Sequence, residues 1–270
     1  QAAKMHFMFA GKVNVPMVIR TPSGGGTGAA AQHSQSLEQM YLHVPGLKVV
    51  VPSTPYAAKG LLKTAIRDNN PVVFLEQKRL YNTKGQVPAE DYTVPFGVAN
   101  TIREGSDVTV VAWGPAVNDA IKAADALAEE GISVELIDPR TIVPFDWETV
   151  FASVRKTGRC MVVSQCVDVG SFTGEIVSKI VENCFDDLDA PVLKLGAKNG
   201  IAPQAHSLEK AFLPSVEEMV ATVKKLIKKD TSIVLVSENS AYEPMIFAKP
   251  EIEALPVTVI GKVVELRRKF

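Results

Sequence analysis

The fold is decided by one stretch in the first third of the chain. Residues 48–75 read KVVVPSTPYAAKGLLKTAIRDNNPVVFL. Two short apolar runs, at 48–51 and 71–75, bracket a segment whose apolar residues recur every three or four positions, as on one face of a helix. Pro55 stands where that helix begins, at a position whose amide needs no partner. The order of strand, helix and strand predicts a parallel sheet with a crossover helix, because parallel strands need a long connection.

The same alternation extends in both directions. Another apolar run precedes this unit at 17–21, and from Asp107 the pattern restarts, with strands predicted at 108–112, 133–137, 160–163 and 192–195. Helices are predicted between these strands, and a last one over 216–227 after Pro214 and Ser215. Residues 82–106 carry proline, glycine and mixed charges with little apolar periodicity. We therefore expect a first domain at 1–93, a linker at 94–106 and a second domain at 107–228.

Composition narrows the class of protein. The chain has 270 residues, of which 46% are hydrophobic, and its net charge is −1. That is enough apolar material for two cores, and no positive field is present to attract nucleic acid or an anionic membrane. No membrane span or signal peptide is apparent, so we expect a cytoplasmic protein without nucleic-acid or membrane partners. The three cysteines lie in apolar segments without metal-ligand spacing, which favours reduced core thiols.

Two features after the first predicted strand are candidates for chemistry. Residues 22–29, PSGGGTGA, fit the pattern GxGxxA of dinucleotide-binding turns, but the same glycines fit an ordinary turn with unusual backbone angles. His33 follows at the predicted carboxyl edge of the sheet, where parallel α/β folds bind ligands. From the residues alone, His33 is either a proton donor and acceptor or a hydrogen-bonded structural residue.

Several motifs resemble one family in both order and spacing. They are VPMVIR at 15–20, AAQHSQS at 30–36, PGLKVV at 45–50, AKGLL at 58–62, NPVVFLE at 70–76, IDPRTIVP at 137–144 and LDAPV at 188–192. Together they resemble the beta subunits of the pyruvate, branched-chain 2-oxoacid and acetoin dehydrogenases, enzymes that depend on thiamine diphosphate. The likeness covers about residues 1–228, which is far more than a single short motif provides.

The resemblance implies a fold, a cofactor and partners. The fold is α/β: part of a pyrimidine-binding parallel-sheet domain, then a transketolase C-terminal-type α/β domain, then a short β tail at 229–270. Thiamine diphosphate with Mg²⁺ would be shared with an alpha subunit in a heterotetramer, and the acyl group would pass to a lipoyl acyltransferase core. The family's magnesium motif is Gly-Asp-Gly, which this sequence lacks, so the resemblance assigns the metal to the alpha chain.

The resemblance also implies roles for particular residues. His33 matches the family's active-site histidine, which faces the reacting carbon of the cofactor and the incoming acyl acceptor. The segment at 65–70 resembles the family's potassium-binding turn, whose ligand set corresponds to Met17, Ala65, Ile66, Asp68 and Asn70. The alternative for this segment is a helix end closed by its own side chains without a metal.

The two ends of the chain depart from that family. Gln1 corresponds to a position well inside the usual subunit, so we expect the opening strands and the glutamate that activates the cofactor to be absent. In the tail, IVLVSENSAYEPM at 233–245 and VIGKVV at 259–264 resemble LexA-type self-cleaving repressors. Two tail strands are predicted, at 232–237 and 256–267, around a turn-rich middle. Lys224, the lysine position of that family, also fits the amphipathic helix that ends the second domain.

Two functions from different classes remain open. The first is a beta subunit that carries out oxidative decarboxylation or acetoin cleavage with an alpha subunit. The second is a catalytically inert fusion or a regulatory binding protein that docks a partner through its LexA-type tail.

Overall fold

The computed structural model describes residues 1–227, 232–235 and 245–248. They form two compact units, Gln1–Ile227 and Lys228–Phe270. The helices are α1 (Ala2–Met8), α2 (Ala30–His33), α3 (Glu38–Leu42), α4 (Pro55–Arg67), α5 (Pro115–Glu129), α6 (Trp147–Thr157), α7 (Phe172–Cys184), α8 (His206–Phe212) and α9 (Val216–Ile227). The strands are β1 (Val18–Ser23), β2 (Lys48–Val50), β3 (Val72–Gln77), β4 (Asn100–Arg103), β5 (Val108–Ala112), β6 (Val134–Asp138), β7 (Thr141–Val143), β8 (Cys160–Val167), β9 (Leu193–Ala197), β10 (Ser232–Leu235) and β11 (Met245–Ala248).

The first unit contains two sheets. The first sheet has the order β1-β3-β2-β7, in which β1, β2 and β3 are parallel and β7 runs antiparallel to β2. The second sheet has the order β4-β6-β5-β8-β9 and is parallel apart from β4. The predicted parallel sheets with crossover helices are confirmed. The carboxyl ends of β1 and β3 lie side by side, because Ser23 pairs with Gln77 in the register of these strands.

Alternation along the strands divides the apolar side chains among three cores. In β3, Val72 and Phe74 pack with α4, whereas Val73 and Leu75 point into a core that the two sheets share. That shared core also contains apolar residues from β5, α6 and α7. On the far face of the second sheet, α5 and α9 form the third core. The shared core explains why residues 1–227 form one unit although the sequence predicts two domains.

Helix ends follow the local chemistry of the sequence. Thr54 caps α4 by accepting a hydrogen bond of 3.1 Å from the Ala57 amide, and Pro55 occupies the first turn. Asp146 caps α6 as predicted, and Gly158 ends that helix with a left-handed backbone at φ 67°. Ser215 and Glu218 exchange hydrogen bonds of 3.1 and 3.0 Å with each other's amides, which is a capping box at the start of α9.

The structure corrects the sequence predictions in two places. The predicted linker at 94–106 contains β4, an edge strand of the second sheet, so that sheet begins earlier than expected. Four residues with irregular burial are too few to show strand periodicity. In the unit 228–270, β10 agrees with the strand predicted at 232–237, but its antiparallel partner β11 lies in the segment predicted to be turn-rich. The strand predicted at 256–267 lies outside the described residues.

Two smaller predictions can also be compared. Within the described part of the chain, all three thiols are buried and none forms a disulfide, as expected of core cysteines. Lys224 lies in α9 and pairs with Glu130 at 2.6 Å, which confirms the helical alternative for this residue. Among the described helices, none is long and apolar enough to cross a membrane.

Candidate functional site

The chain turns back on itself at the carboxyl edge of the first sheet. After β1 ends at Ser23, a glycine loop at 24–28 leads into α2, and His33 is the last residue of that short helix. The sequence predicted this location for His33, and the structure confirms it. We call residues 29–39 the His33 segment. The imidazole of His33 is exposed, so it is free to meet a group outside this chain.

Positive backbone angles explain the glycine loop. Gly24, Gly26 and Gly28 have φ of 86°, 91° and 68°, a region in which a side chain is strained. A methyl group at Gly24 would also lie 2.2 Å from Oε1 of Gln77. The backbone angle favours glycine here, and a larger residue would also have to displace the end of the Gln77 side chain.

The amides of the glycine loop bind a carboxylate of the same chain. Glu209, from α8, accepts two hydrogen bonds. Its Oε1 accepts one of 2.8 Å from the Gly26 amide, and its Oε2 accepts one of 2.7 Å from the Gly28 amide. The Glu209 residue is only 2% exposed. Two amides that a bound phosphate would need are therefore already occupied, which favours the turn over the dinucleotide-binding alternative.

The His33 segment is fastened to β3 and to the residues that follow it. The ammonium of Lys78 donates to the backbone oxygen of His33. The Gly24 amide donates to the backbone oxygen of Gln35 over 2.9 Å. These two bonds fix the backbone on either side of Ser34 and leave the imidazole of His33 outside.

A buried carboxyl group anchors the far end of the segment. Glu38 is 2% exposed. Its Oε1 accepts a hydrogen bond of 3.2 Å from Nε2 of Gln77, and its Oε2 accepts one of 3.0 Å from the Cys166 thiol. Burial raises the pKa of Glu38 above its usual value, despite the opposing hydrogen bonds from Cys166 and Gln77. Burial and the neighbouring Glu38 also raise the pKa of the Cys166 thiol, which disfavours its reactive thiolate form.

Several buried oxygens around this segment have no hydrogen-bond partner within the described part of the chain. They belong to Ser34, Ser36, Gln39, Gln77, Gln165 and Asp168. Four of these residues, Ser34, Ser36, Gln39 and Gln165, also line a cavity of about 110 Å³ beside the segment. Buried polar groups in folded proteins are nearly always hydrogen-bonded, so this cavity offers unpaired oxygens to which a water molecule or a polar ligand could bind.

The turn at 65–70 is arranged differently. The Met17 oxygen accepts from the Val72 amide at 2.8 Å and the Ala65 oxygen from the Asp68 amide at 3.2 Å. Asp68 accepts from the Asn70 amide at 2.8 Å and pairs with the Lys48 ammonium. Although burial raises it, these bonds and the charge of Lys48 hold the pKa of Asp68 below its usual value. The Ile66 side chain is 65% exposed.

Local sequence patterns did not reveal three of these features: the contacts of Glu209, of Lys78 and of Glu38. Glu209 contacts residues 181 and 183 positions away, and no local pattern signals such a contact. For Glu38, a carboxylate that follows a polar loop looks exposed in the sequence, and only the fold shows that it is buried.

Comparisons with known proteins show which domain families the chain contains. The pyrimidine-binding domain model of transketolases matches residues 1–84, and the transketolase C-terminal domain model matches residues 97–219. A Peptidase S24-like model matches residues 210–264. A solved split-gene transketolase, described as an inactive beta4 tetramer, is 23% identical with a TM-score of 0.63, covering 84% of this chain and 74% of its own. That likeness supports the fold.

Curated relatives then define the family. The beta subunit of acetoin:2,6-dichlorophenolindophenol oxidoreductase of Bacillus subtilis is 44% identical over 84% of this chain and 66% of its own length. The 2-oxoisovalerate dehydrogenase beta subunit of the same organism is 42% identical over 84% and 70%. The pyruvate dehydrogenase E1 beta subunit of Rhizobium meliloti is 47% identical over 84% and 50%. The chain belongs to this family of dehydrogenase beta subunits, and it spans between 50% and 70% of the length of these three relatives.

Proposed function

We propose that this chain acts in a thiamine-diphosphate-dependent dehydrogenase that oxidatively decarboxylates a 2-oxoacid or cleaves acetoin. Membership of the family supports the reaction class, since the relatives are named for acetoin, 2-oxoisovalerate and pyruvate. The observation that carries the proposal is the exposed His33 imidazole, which is held at the carboxyl edge of the first sheet beside buried oxygens without partners. The acyl product passes to a lipoyl group on an acyltransferase core.

The proposed partner is an alpha subunit in a heterotetramer. When bound, thiamine diphosphate would supply the nucleophilic carbon for the substrate carbonyl. In this proposal the alpha subunit binds the diphosphate and its Mg²⁺, because this sequence has no Gly-Asp-Gly motif. The residues of this chain fit a shared site, since the oxygens of Ser34, Ser36 and Gln165 are buried and have no hydrogen-bond partner among the described residues.

His33 serves as the acid and base of this chain. Its imidazole can give a proton to the acyl acceptor or take one from it. The bond from Lys78 to the His33 backbone restrains the main chain while the ring remains free to turn toward the partner. The role of His33 is therefore proton transfer at a site that two chains form together.

A potassium ion at the turn 65–70 is the last part of the proposal. The Met17 and Ala65 carbonyls each accept one hydrogen bond and keep a second lone pair, while Asp68 and Asn70 supply side-chain oxygens. Hard cations prefer ligands made only of oxygen. The Lys48 ammonium already balances the charge of Asp68, so potassium would share that carboxylate with it.

Coexpression tests the proposed function. The chain is produced with an alpha subunit bearing Gly-Asp-Gly, and dye reduction is measured with acetoin, pyruvate and branched-chain 2-oxoacids in the presence of thiamine diphosphate and Mg²⁺. We expect turnover with one of these substrates. His33→Ala should lower turnover about 100- to 10,000-fold while cofactor affinity changes little, because proton transfer contributes that much to many enzymes.

The matched control is His43→Ala, since His43 is also exposed but lies outside the His33 segment. This variant should retain full turnover. An assembled enzyme that turns over equally well without the His33 imidazole would contradict the assigned role. Failure of any alpha subunit to assemble with the chain would contradict the proposed function as a whole.

A further inference from the structure

Glu209 connects the second half of the first unit to the His33 segment. Its helix α8 lies more than 170 residues from His33 in sequence, yet its carboxylate accepts from two amides of the glycine loop, at 2.8 and 2.7 Å. Each carboxylate oxygen has one of these bonds, and the residue is only 2% exposed. Charge-assisted hydrogen bonds of this kind are stronger than neutral ones.

The glycine loop is also held from its other side. Arg79 packs against Gly26, where an added methyl group would lie 2.2 Å from the Arg79 Cδ atom. The Arg79 guanidinium makes bonds of 2.9 and 3.2 Å to the two oxygens of Asp119 on α5. The loop is thus held between α5 and α8, and on the α8 side Glu209 makes direct hydrogen bonds to it.

From the glycine loop the constraint reaches His33 in two short steps. The Gly24 amide donates a hydrogen bond of 2.9 Å to the backbone oxygen of Gln35, and the Ser23 hydroxyl donates one of 3.5 Å to the same oxygen. Gln35 is two residues from His33. A shift of the loop amides therefore displaces the backbone that carries the imidazole.

We propose that Glu209 is a positioning residue for His33: its carboxylate fixes the glycine loop and thereby sets where the imidazole stands. This inference rests on the proposed function of His33, but it can be tested in this chain without any turnover. The carboxylate matters because it offers an acceptor to both amides. A glutamine offers one acceptor and one donor, so it leaves one amide facing another N–H group.

The direct test compares Glu209→Gln with Glu217→Gln in the chain alone. Glu217 is an exposed carboxylate that lines the same cavity of about 410 Å³ as Glu209. Hydrogen exchange at the amides of Gly24, Gly26, Gly28 and Gln35 should accelerate about tenfold or more in Glu209→Gln, while β5 stays protected in both variants. The ring resonance of His33 should move in Glu209→Gln, while those of His6 and His43 should not.

A double-mutant cycle in the assembled enzyme separates positioning from general structure. We expect Glu209→Gln to lower kcat about 10- to 100-fold, as small misplacements of a reacting group do, with little change in KM. Added to His33→Ala, the same substitution should cost nothing further, because its effect passes through the imidazole. Glu217→Gln should leave kcat unchanged in both backgrounds.

The outcomes distinguish the two proposals. Unchanged exchange and an unmoved His33 resonance in Glu209→Gln would overturn the positioning role, whatever the activity. Losses that simply add in the double mutant would also overturn it. Faster exchange, a shifted His33 resonance and an inactive assembly would leave Glu209 as the positioning residue and refute the proposed reaction.

Discussion

The His33 segment and the turn at 65–70 belong to the same half of the chain but differ in how they satisfy their polar groups. In the turn, the Asp68 carboxylate has bonds to Lys48 and Asn70, and the Met17 and Ala65 oxygens accept backbone amides. Around the His33 segment, the buried oxygens of Ser34, Ser36, Gln77 and Gln165 have no partner among the described residues. The oxygens of the turn are paired within the chain and keep only spare lone pairs for a cation, whereas those of the segment are unpaired among the described residues.

From this difference we infer which of the two places depends more on another molecule. A buried oxygen without a donor destabilises a fold by roughly 1 to 3 kcal/mol, so a partner that supplies donors should stabilise the His33 segment. A turn whose groups are paired gains little from one more ligand. We therefore expect large effects of substitution and of partner binding at the His33 segment and small ones at the turn.

The largest expected effect is at the glycine loop. Gly24→Ala should destabilise the protein by about 3 kcal/mol, because its φ of 86° and the contact with Gln77 both oppose a methyl group. Gly131→Ala is the matched control, since Gly131 has φ 77° but nothing within 4 Å. It should cost about 1 kcal/mol in chemical denaturation. Equal losses would show that packing against Gln77 does not matter.

Substitution of a buried carboxyl that has a hydrogen-bond partner should change the free energy of unfolding by an intermediate amount that depends on pH. Asp138, at the end of β6, accepts 2.9 Å from the Arg140 amide, yet burial raises its pKa to about 6. A raised folded pKa contributes stability below the unfolded value near 4, and that stability is lost as pH rises through 6. Asp138→Asn removes this loss. Its free energy of unfolding relative to wild type should rise by about 2 kcal/mol between pH 4 and 7.

Denaturation at a series of pH values measures this difference. Asp125→Asn is the control, because the Asp125 carboxylate is largely exposed, and its difference from wild type should stay nearly flat with pH. A flat difference for Asp138→Asn as well would mean that the carboxyl is ionised in the folded protein without cost.

The smallest expected effect is at the turn. Lys48→Met should destabilise the chain by about 1 kcal/mol in NaCl, because Asp68 loses a partly buried partner. The loss should be smaller in KCl, since potassium takes over the charge of the ammonium beside Asp68. Lys63→Met, which breaks an exposed pair with Asp91, should show no preference between the salts. Identical thermal midpoints of Lys48→Met in NaCl and KCl would contradict the potassium proposal.

The sequence predicted those parts of the fold that depend on local periodicity. Strand β5 matches its prediction residue for residue, and α4 contains the expected stripe, because buried strands and amphipathic helices have characteristic patterns. Strands β4 and β7 were not predicted, since each is three or four residues long and is defined by the neighbour it pairs with. The position of His33 after the first strand and the glycine cluster predicted its place at the carboxyl edge of the sheet.

The interactions that complete the candidate site could not be predicted in this way. Glu209 reaches the glycine loop only after α8 packs beside it, and Glu38 is buried only because Gln77 and Cys166 meet it from two different strands. Each of these contacts joins residues that are distant in sequence. Local patterns carry no information on such pairings, whereas the fold specifies them.

The sharpest experiment is hydrogen exchange of this chain before and after assembly with an alpha subunit, thiamine diphosphate and Mg²⁺. We expect strong new protection of the amides from Ser34 to Gln39, and little change at Asp68 to Asn70, where the polar groups are already paired. Protection that appears equally at both places, or at neither, would contradict the claim that the His33 segment is the part of this chain that a partner completes.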